Sequence, residues 1–291
     1  MDNIIDHINN IPTEKLKGAE ILFFSDMDGT FLKHDKTISE ENLAAVKRLS
    51  EAGGRFIITT GRVIQASKHY FEPMGNAFPA ILCNGGMIYD CASGKVMWSK
   101  YLDADTAKSS IEQLLEEFPD VCAEICTPNC IYDVNINDTE RGHWKSAGFT
   151  AEIVGSIDEV PRENWSKVLF AMKAERIESF AAYCRTLPHY DKAEYVTSGT
   201  IFHEMLPKDC SKGSALKRLL QVYHIENPFT VAMGDYDNDI EMLQSADLAV
   251  CPANARDNVK AVCAWVTRET SEENAVAGVI DTLLAAKQHG F

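Results

Sequence analysis

Asp26-Met27-Asp28-Gly29-Thr30 places two carboxylates two residues apart, directly after the apolar run Ile21-Leu22-Phe23-Phe24 and its closing Ser25. Carboxyls so spaced can divide the work: one attacks as a nucleophile while the other moves protons. Gly29 lets the chain turn away sharply and lets backbone N–H groups approach an anion. Taken alone, Asp-x-Asp-Gly is also an ordinary acidic turn. A second acidic group, Gly234-Asp235-Tyr236-Asp237-Asn238-Asp239, follows the apolar Thr230-Val231-Ala232-Met233. Oxygen donors this dense repel one another without a cation, and hard donors select a hard divalent ion, Mg2+ before Zn2+.

Lys212 lies in Ser211-Lys212-Gly213-Ser214, which opens a helix carrying Leu216, Leu219 and Leu220. Ser211 is suited to cap that helix, which puts Lys212 in the first turn, where a cation opposes the helix dipole. A lysine held there suggests a nearby anion, either a phosphate or the Asp26 carboxylate. Two further apolar runs end in polar groups: Phe56-Ile57-Ile58 runs into Thr59-Thr60-Gly61-Arg62, and Ala80-Ile81-Leu82-Cys83 into Asn84-Gly85-Gly86. Ligands bind beyond the carboxyl ends of strands in open parallel sheets. Asp26, Thr60, Asn84 and Asp235 therefore imply one convergent site.

The elements that must position these groups follow from the same runs. Short, wholly apolar segments read as strands buried on both faces. A helix from about Ser39 to Ala52, capped by Thr37 or Ser39 and stopped at Gly53-Gly54, carries Leu43, Val46 and Leu49 on one stripe. With Leu248 to Cys251 as a fifth strand after a helix starting near Asp239, the alternation predicts a doubly wound parallel α/β domain. The stretch from Met87 to Leu206 differs. Lys95 to Tyr101 and Ser166 to Lys173 alternate more, and two helical segments, Ala104 to Phe118 and Glu175 to Leu187, lie among them. This predicts a core formed by residues 1–86 and 207–291, with an α+β cap inserted over 87–206. Arg141, His143, Trp144 and Lys145 form a polar-aromatic group, read as an exposed loop that could touch a sugar.

A chain of 291 residues suits two domains, and 45% apolar with 24% charged residues is a globular composition. The formal charge of −15 repels nucleic acid and anionic membranes. An anionic substrate would need a local cation. Nine scattered cysteines, and first residues that include Asp2, Asp6, Glu14 and Glu20, point to a reduced cytoplasmic setting. Cys122, Cys126 and Cys130 read as packing rather than a zinc site, which usually needs two closer pairs. The chain is expected to act on a small molecule as a monomer or weak homo-oligomer, with no nucleic-acid or membrane partner.

In these motifs and their order, the chain resembles the haloacid dehalogenase superfamily, specifically its Cof-type phosphatases with a large α/β cap. Asp26 to Thr30 is similar to the nucleophile motif, Thr60-Gly61-Arg62 to the phosphate-binding motif, and Asn84-Gly85 to the subgroup's Asn-Gly turn. Lys212 falls at the motif lysine, and Gly234-Asp235 with Asn238-Asp239 at the metal motif. The tail Asn274 to Ile280 is close to the subgroup's ending, with its acidic-Gly-Val-Ala pattern altered.

The resemblance implies a Rossmann-like core and a Mg2+-dependent phosphatase of small phosphate esters, sugar phosphates first. Asp26 would be the nucleophile and Asp28 the proton shuttle. Lys212, Thr60, Gly61, Arg62, Asn84, Gly85, Asn238 and the amides at Gly29 would surround the phosphate. Asp26, Asp28, Asp235 and Asp239 would hold the metal. A phosphomutase of the same fold would share Asp26 and Asp28 but brings further cap arginines. A dehalogenase would not need Asp28 or the metal cluster. A non-catalytic sensor of phosphate esters would bind without turnover.

Overall fold

A computed structural model describes residues 13–75 and 78–289; the lead-in before Thr13, with Asp2 and Asp6, lies outside the described residues. The first segment gives β1 (Ile21–Ser25), α1 (Glu40–Glu51), β2 (Arg55–Ile58), β3 (Pro79–Leu82), β4 (Met87–Asp90) and β5 (Lys95–Ser99). The middle gives α2 (Ala104–Glu117), β6 (Cys122–Cys126), β7 (Ile131–Val134), α3 (Asp138–Ala147), β8 (Glu152–Val154), β9 (Lys167–Ala171), α4 (Ile177–Cys184), β10 (Ala193–Thr197) and β11 (Phe202–Pro207). The last segment gives α5 (Lys212–Val222), β12 (Phe229–Met233), α6 (Ile240–Ser245), β13 (Leu248–Cys251), β14 (Trp265–Val266) and α7 (Ala275–His289).

The core is a five-stranded parallel sheet in the order β14-β13-β12-β1-β2. Every residue of β1 is buried, and its side chains alternate between two helical layers. Ile21 and Phe23 pack with Val46 and Leu49 of α1 and with Val276 and Ile280 of α7. Leu22 and Phe24 pack with Leu216 and Leu219 of α5 and with Met242 and Leu243 of α6. The strand is apolar from Ile21 to Phe24 because helices cover both faces. Each fully buried Phe contributes about 1.5–3 kcal/mol. Helix α1 starts where Ser39 accepts the Asn42 N–H, so Ser39 rather than Thr37 is the cap.

The run at Ala80 to Cys83 departs from the expected pattern. Strand β3 meets the parallel sheet at the bridge Thr59↔Ile81, then pairs antiparallel with β4, which pairs with β5. Met87 and Tyr89 join the hydrophobic cluster of β1 and α1, and Ile88 the cluster of Leu22 and Phe24. The expected boundary at residue 86 therefore falls inside a three-stranded sheet. Lys95 to Ser99, expected among the cap strands, belongs to that sheet as well. Strand β4 is apolar because it lies on the core, whereas Val96 and Met97 of β5 are exposed.

The second sheet has six strands in the order β10-β11-β9-β6-β7-β8, antiparallel except for β7 beside β8. One face carries Ala123, Ile125, Val168 and Phe170 against Ile111 and Leu114 of α2 and Phe180 of α4. The alternate residues, Glu124, Lys167, Leu169 and Glu204, point to the opposite side, into the cavity shared with the core. Residues Arg141 to Lys145, expected as a loop, are helical instead. Asn137 caps α3 by accepting the Glu140 N–H, and Gly148 closes it in the left-handed region. A segment whose one large apolar residue is Trp144 gives little helical periodicity to detect.

Candidate active site

Asp26 leaves β1 with its N–H bonded to Met233 O of β12, which holds it at the end of the central strands. The next residues curl tightly: Phe31 and Leu32 both donate to Met27 O. Gly29 sits in that curl at φ +81°, and a Cβ there would lie 2.4 Å from Asp235 Oδ2. Only glycine admits both the conformation and the contact. Thr30 Oγ1 in turn donates to Asp235 Oδ1 at 2.8 Å, joining the two acidic loops.

Lys212, 1% exposed, donates to Asp26 Oδ1 and to Asp239 Oδ1, each at 2.6 Å. Ser211 caps α5 by accepting the Ser214 N–H, and Ser214 Oγ answers the Ser211 N–H. Burial would lower the Lys212 ammonium, but Asp239 and Asp26 outweigh it and hold the lysine protonated. Asp239 Oδ2 accepts the N–H groups of Asp235 and Tyr236, so both of its oxygens are engaged. Burial pushes Asp26 well above the usual carboxylate range against the pull of Lys212. Burial and Asp239 push Asp235 up to about 7.

One oxygen each of Asp26, Asp235 and Asp239 lies within 4.8 Å of the other two. Asp26 and Asp239 share the Lys212 ammonium and Asp235 adds a third acidic group, a surplus of two negative charges when all three are ionised. The all-oxygen donor set and the surplus fit a hard divalent cation.

Asp28 faces different partners. Arg62 clamps it from Nε to Oδ2 and from Nη2 to Oδ1, both at 2.7 Å, and Lys36 Nζ reaches Oδ1 at 2.8 Å. Burial would raise Asp28, but Arg62 and then Lys36 overcome it and hold the carboxyl far below its usual range. Arg62, expected at the phosphate, is thus first a partner of Asp28. Thr60 is 1% exposed at the end of β2, and its Oγ1 accepts the Arg62 N–H.

Asn84 and Gly85 differ from the expected phosphate contacts. The Asn84 side chain, 1% exposed, accepts from Asn238 Nδ2 at 2.9 Å and donates to Glu204 Oε2 of β11 at 3.0 Å. Gly85, at φ +100°, lets the chain pass Ser211, whose carbonyl oxygen would lie 2.1 Å from a Cβ. Both position neighbours and do not line the cavity.

The cavity of about 350 Å3 lies between the two sheets. Asp26, Asp28, Thr60, Gly61, Arg62, Asp235 and Asn238 line it from the core side; Glu124, His143, Lys167, Phe202 and Glu204 line it from the cap. Lys167 Nζ and Glu204 Oε2 form a buried ion pair at 2.9 Å. Of the four residues 141 and 143–145 singled out in the sequence, only His143 lines the cavity. Sequence reasoning missed Lys36, Glu124, Lys167 and Glu204. The signal was a lone charge inside each of three apolar strands, Cys-Ala-Glu-Ile-Cys, Lys-Val-Leu-Phe-Ala and Phe-His-Glu-Met-Leu.

A model of haloacid dehalogenase-like hydrolases matches residues 23–280. The chain belongs to this family. Cys122 and Cys126 are buried on β6 of this hydrolase, and all nine of its cysteines are free thiols. No helix among the described residues is long and apolar enough to cross a membrane. The hydrolase is 28% identical over 288 residues to the 5-amino-6-(5-phospho-D-ribitylamino)uracil phosphatase YwtE of Bacillus subtilis, covering 90% of this chain and 97% of that one. It is 29% identical over 266 residues to the YitU phosphatase of the same name and organism, covering 87% and 93%. Its fold matches SMU.1108c of Streptococcus mutans with a TM-score of 0.82 at 23% identity, over 91% of this chain and 98% of that one. Both Bacillus subtilis relatives are named phosphatases.

Proposed function

We propose that this hydrolase cleaves small phosphate monoesters with Mg2+, through a phosphorylated Asp26. The observation that carries this reading is the convergence of Asp26, Asp28, Thr60 and Asp235 on one cavity, with Lys212 seated against the Asp26 carboxylate. Asp26 and Asp235, with the Asp28 carbonyl, would hold Mg2+, and Asp239 would support it from behind Lys212. The ion would offset negative charge on the phosphoryl oxygens as they approach an acidic site.

Asp26 attacks phosphorus in line, forming the Asp26–phosphorus bond as the ester oxygen leaves. Asp28, ionised beside Arg62 and Lys36 in the free site, would take up a proton from solvent as the substrate binds and pass it to that oxygen, releasing the alcohol. It then takes a proton from water as the water oxygen attacks phosphorus and breaks the acyl-phosphate bond, freeing phosphate and Asp26. Arg62 and Lys36 stabilise the ionised form that serves the second step. Thr60 and Lys212 contribute donors to the non-bridging oxygens, the chief requirement of phosphoryl transfer. The cap side of the cavity, with Glu124, Lys167 and Glu204 beside Phe202, suits a polyhydroxylated leaving group such as a sugar or alditol. The relatives' phosphoribityl substrates are consistent with that class.

Phosphate release from p-nitrophenyl phosphate, and then from hexose and alditol phosphates, is measured with Mg2+ or with EDTA, in the unmutated chain and in Asp26→Asn. Release is expected only with Mg2+ and only from the unmutated chain. Turnover that survives Asp26→Asn would remove Asp26 as nucleophile, and silence on every ester would favour a sensor.

A further inference from the structure

A second group of carboxyls is buried in the cap. Glu124 on β6, Asp133 on β7 and Glu140 on α3 are each 2% exposed or less. Glu124 and Asp133 are direct cross-strand neighbours. His143, one turn beyond Glu140, places Nδ1 3.1 Å from Glu140 Oε1 and 4.0 Å from Glu124 Oε2. One ligand atom each from Glu124, Glu140 and His143 lies within 4.8 Å of the others. Ligands around a tetrahedral ion at about 2.1 Å stand roughly 3.4 Å apart, so side-chain shifts of about 1 Å or less would close the site.

The second observation is independent of this spacing. Glu124 Oε2, Glu140 Oε2 and both oxygens of Asp133 have no hydrogen-bond partner of normal geometry, although all are buried. Buried carboxylate oxygens are otherwise paired, and leaving them bare is costly. The buried ammonium of Lys167 bonds Glu204 and reaches Glu124 and Glu140 only through space. Trp144 Nε1 points toward Asp133 and Glu140 and lowers both carboxyls, but in a geometry too poor for a full hydrogen bond.

We propose that Glu124, Glu140 and His143 form a cap-borne site for a transition-metal divalent cation of the Zn2+ or Mn2+ kind, with Asp133 as its outer charge partner. An imidazole nitrogen beside two carboxylates suits these ions, whereas the donors at Asp26 and Asp235 are oxygens alone. Glu124 and His143 also line the cavity, so the ion forms part of its wall. The site does not depend on the phosphatase reading. The competing way to settle the charge is protonation: burial and neighbouring carboxylates raise Glu124 to about 7 and Asp133 to about 8.

The test uses the full chain carrying Asp235→Asn, which silences the core cluster, with and without Glu140→Gln. Each is stripped with EDTA, checked for folding by circular dichroism, and titrated with Zn2+ alone, with bound metal read by elemental analysis. The Asp235→Asn chain is expected to hold one Zn2+, and adding Glu140→Gln to weaken binding at least about tenfold. Equal binding by both chains, or no Zn2+ on Asp235→Asn, overturns the proposal in favour of shared protons or adventitious thiol binding. Should Glu140→Gln fail to fold, the unmutated chain in excess Mg2+ supplies the readout. There Zn2+ is expected to raise the melting temperature, and the partly exposed His143→Ala to abolish the rise; a rise that persists in His143→Ala overturns the site.

Discussion

Asn84 Nδ2 donates to Glu204 Oε2 at 3.0 Å, and this bond ties the carboxyl end of a core strand to the middle of the cap sheet. Asn238 donates to the other end of the same amide, and Lys167 to the same Glu204 oxygen. The acidic loop at Asp235, the turn at Asn84 and the cap strands are thus joined by consecutive hydrogen bonds, and any displacement of the cap is felt at the loop.

Replacing Asn84 tests that linkage. Asn84→Ala is expected to lower unfolding free energy by about 1–3 kcal/mol, since it strips a buried carboxylate of one donor. Asn84→Asp should cost more, because it sets a second carboxylate against Glu204. Urea unfolding followed by tryptophan fluorescence gives both values. An Asn84→Asp chain as stable as the parent would show that the amide bond to Glu204 does not form.

Lys212→Met is expected to impair both folding and turnover. It leaves Asp26 and Asp239 facing each other without their shared ammonium, a loss of about 3–5 kcal/mol on the scale of a broken buried pair. The rate should fall about 10²–10³-fold, as on removal of one charge stabiliser in a transition state. Thermal unfolding and kcat with Mg2+ saturating separate the two effects. Normal kcat in a folded Lys212→Met chain would remove the lysine from the reaction.

Much of this arrangement was legible in the sequence, and the reasons differ by region. The core strands read clearly because helices on both faces make β1 apolar from Ile21 to Phe24, and Asp26 marks the place where the strand has ended. Lys212 was legible as a cation set against a helix dipole. The cap was harder, because its sheet has one covered face and one facing the cavity. Charges such as Glu124 and Lys167 interrupt the pattern where they are most buried. Helix α3 was hidden by Gly142 and its polar residues, and its ends are set by Asn137 and Gly148 rather than by periodicity. The hairpin after Gly86 misled because an antiparallel extension of a parallel sheet looks locally like the start of a new domain.

Gly29→Ala probes the contact between the two acidic loops. Its φ of +81° costs an alanine about 1–2 kcal/mol. The new methyl would also press on Asp235 Oδ2, forcing that carboxylate away from Asp26. Activity is expected to fall further than stability, with the Mg2+ concentration for half-maximal rate raised. Unchanged Mg2+ dependence would mean that Asp235 is not placed by this contact.

His203 gives the cap a pH dependence whose sign can be worked out. It is 4% exposed on β11, between the rings of Phe180 and Tyr195, with Nδ1 3.0 Å from Thr197 Oγ1 and Nε2 unpartnered. Burial lowers it from 6.5 to about 4, against the pull of Glu204. Between those values the unfolded chain binds the proton and the folded chain does not. Stability therefore falls as pH drops from about 6.5 to 4, and the contribution is fully present only above that window. At about 1.4 kcal/mol per pH unit the loss approaches roughly 3 kcal/mol. His203→Phe keeps the ring contacts and cannot take up the proton, so its stability should fall less over this interval than that of the parent. Glu124 and Asp133 titrate with the opposite sign in both chains and cancel in the difference. Chemical unfolding of the two chains at pH 7, 5.5 and 4.5 measures it, and parallel curves would show that His203 is protonated as readily in the folded protein as in the unfolded one.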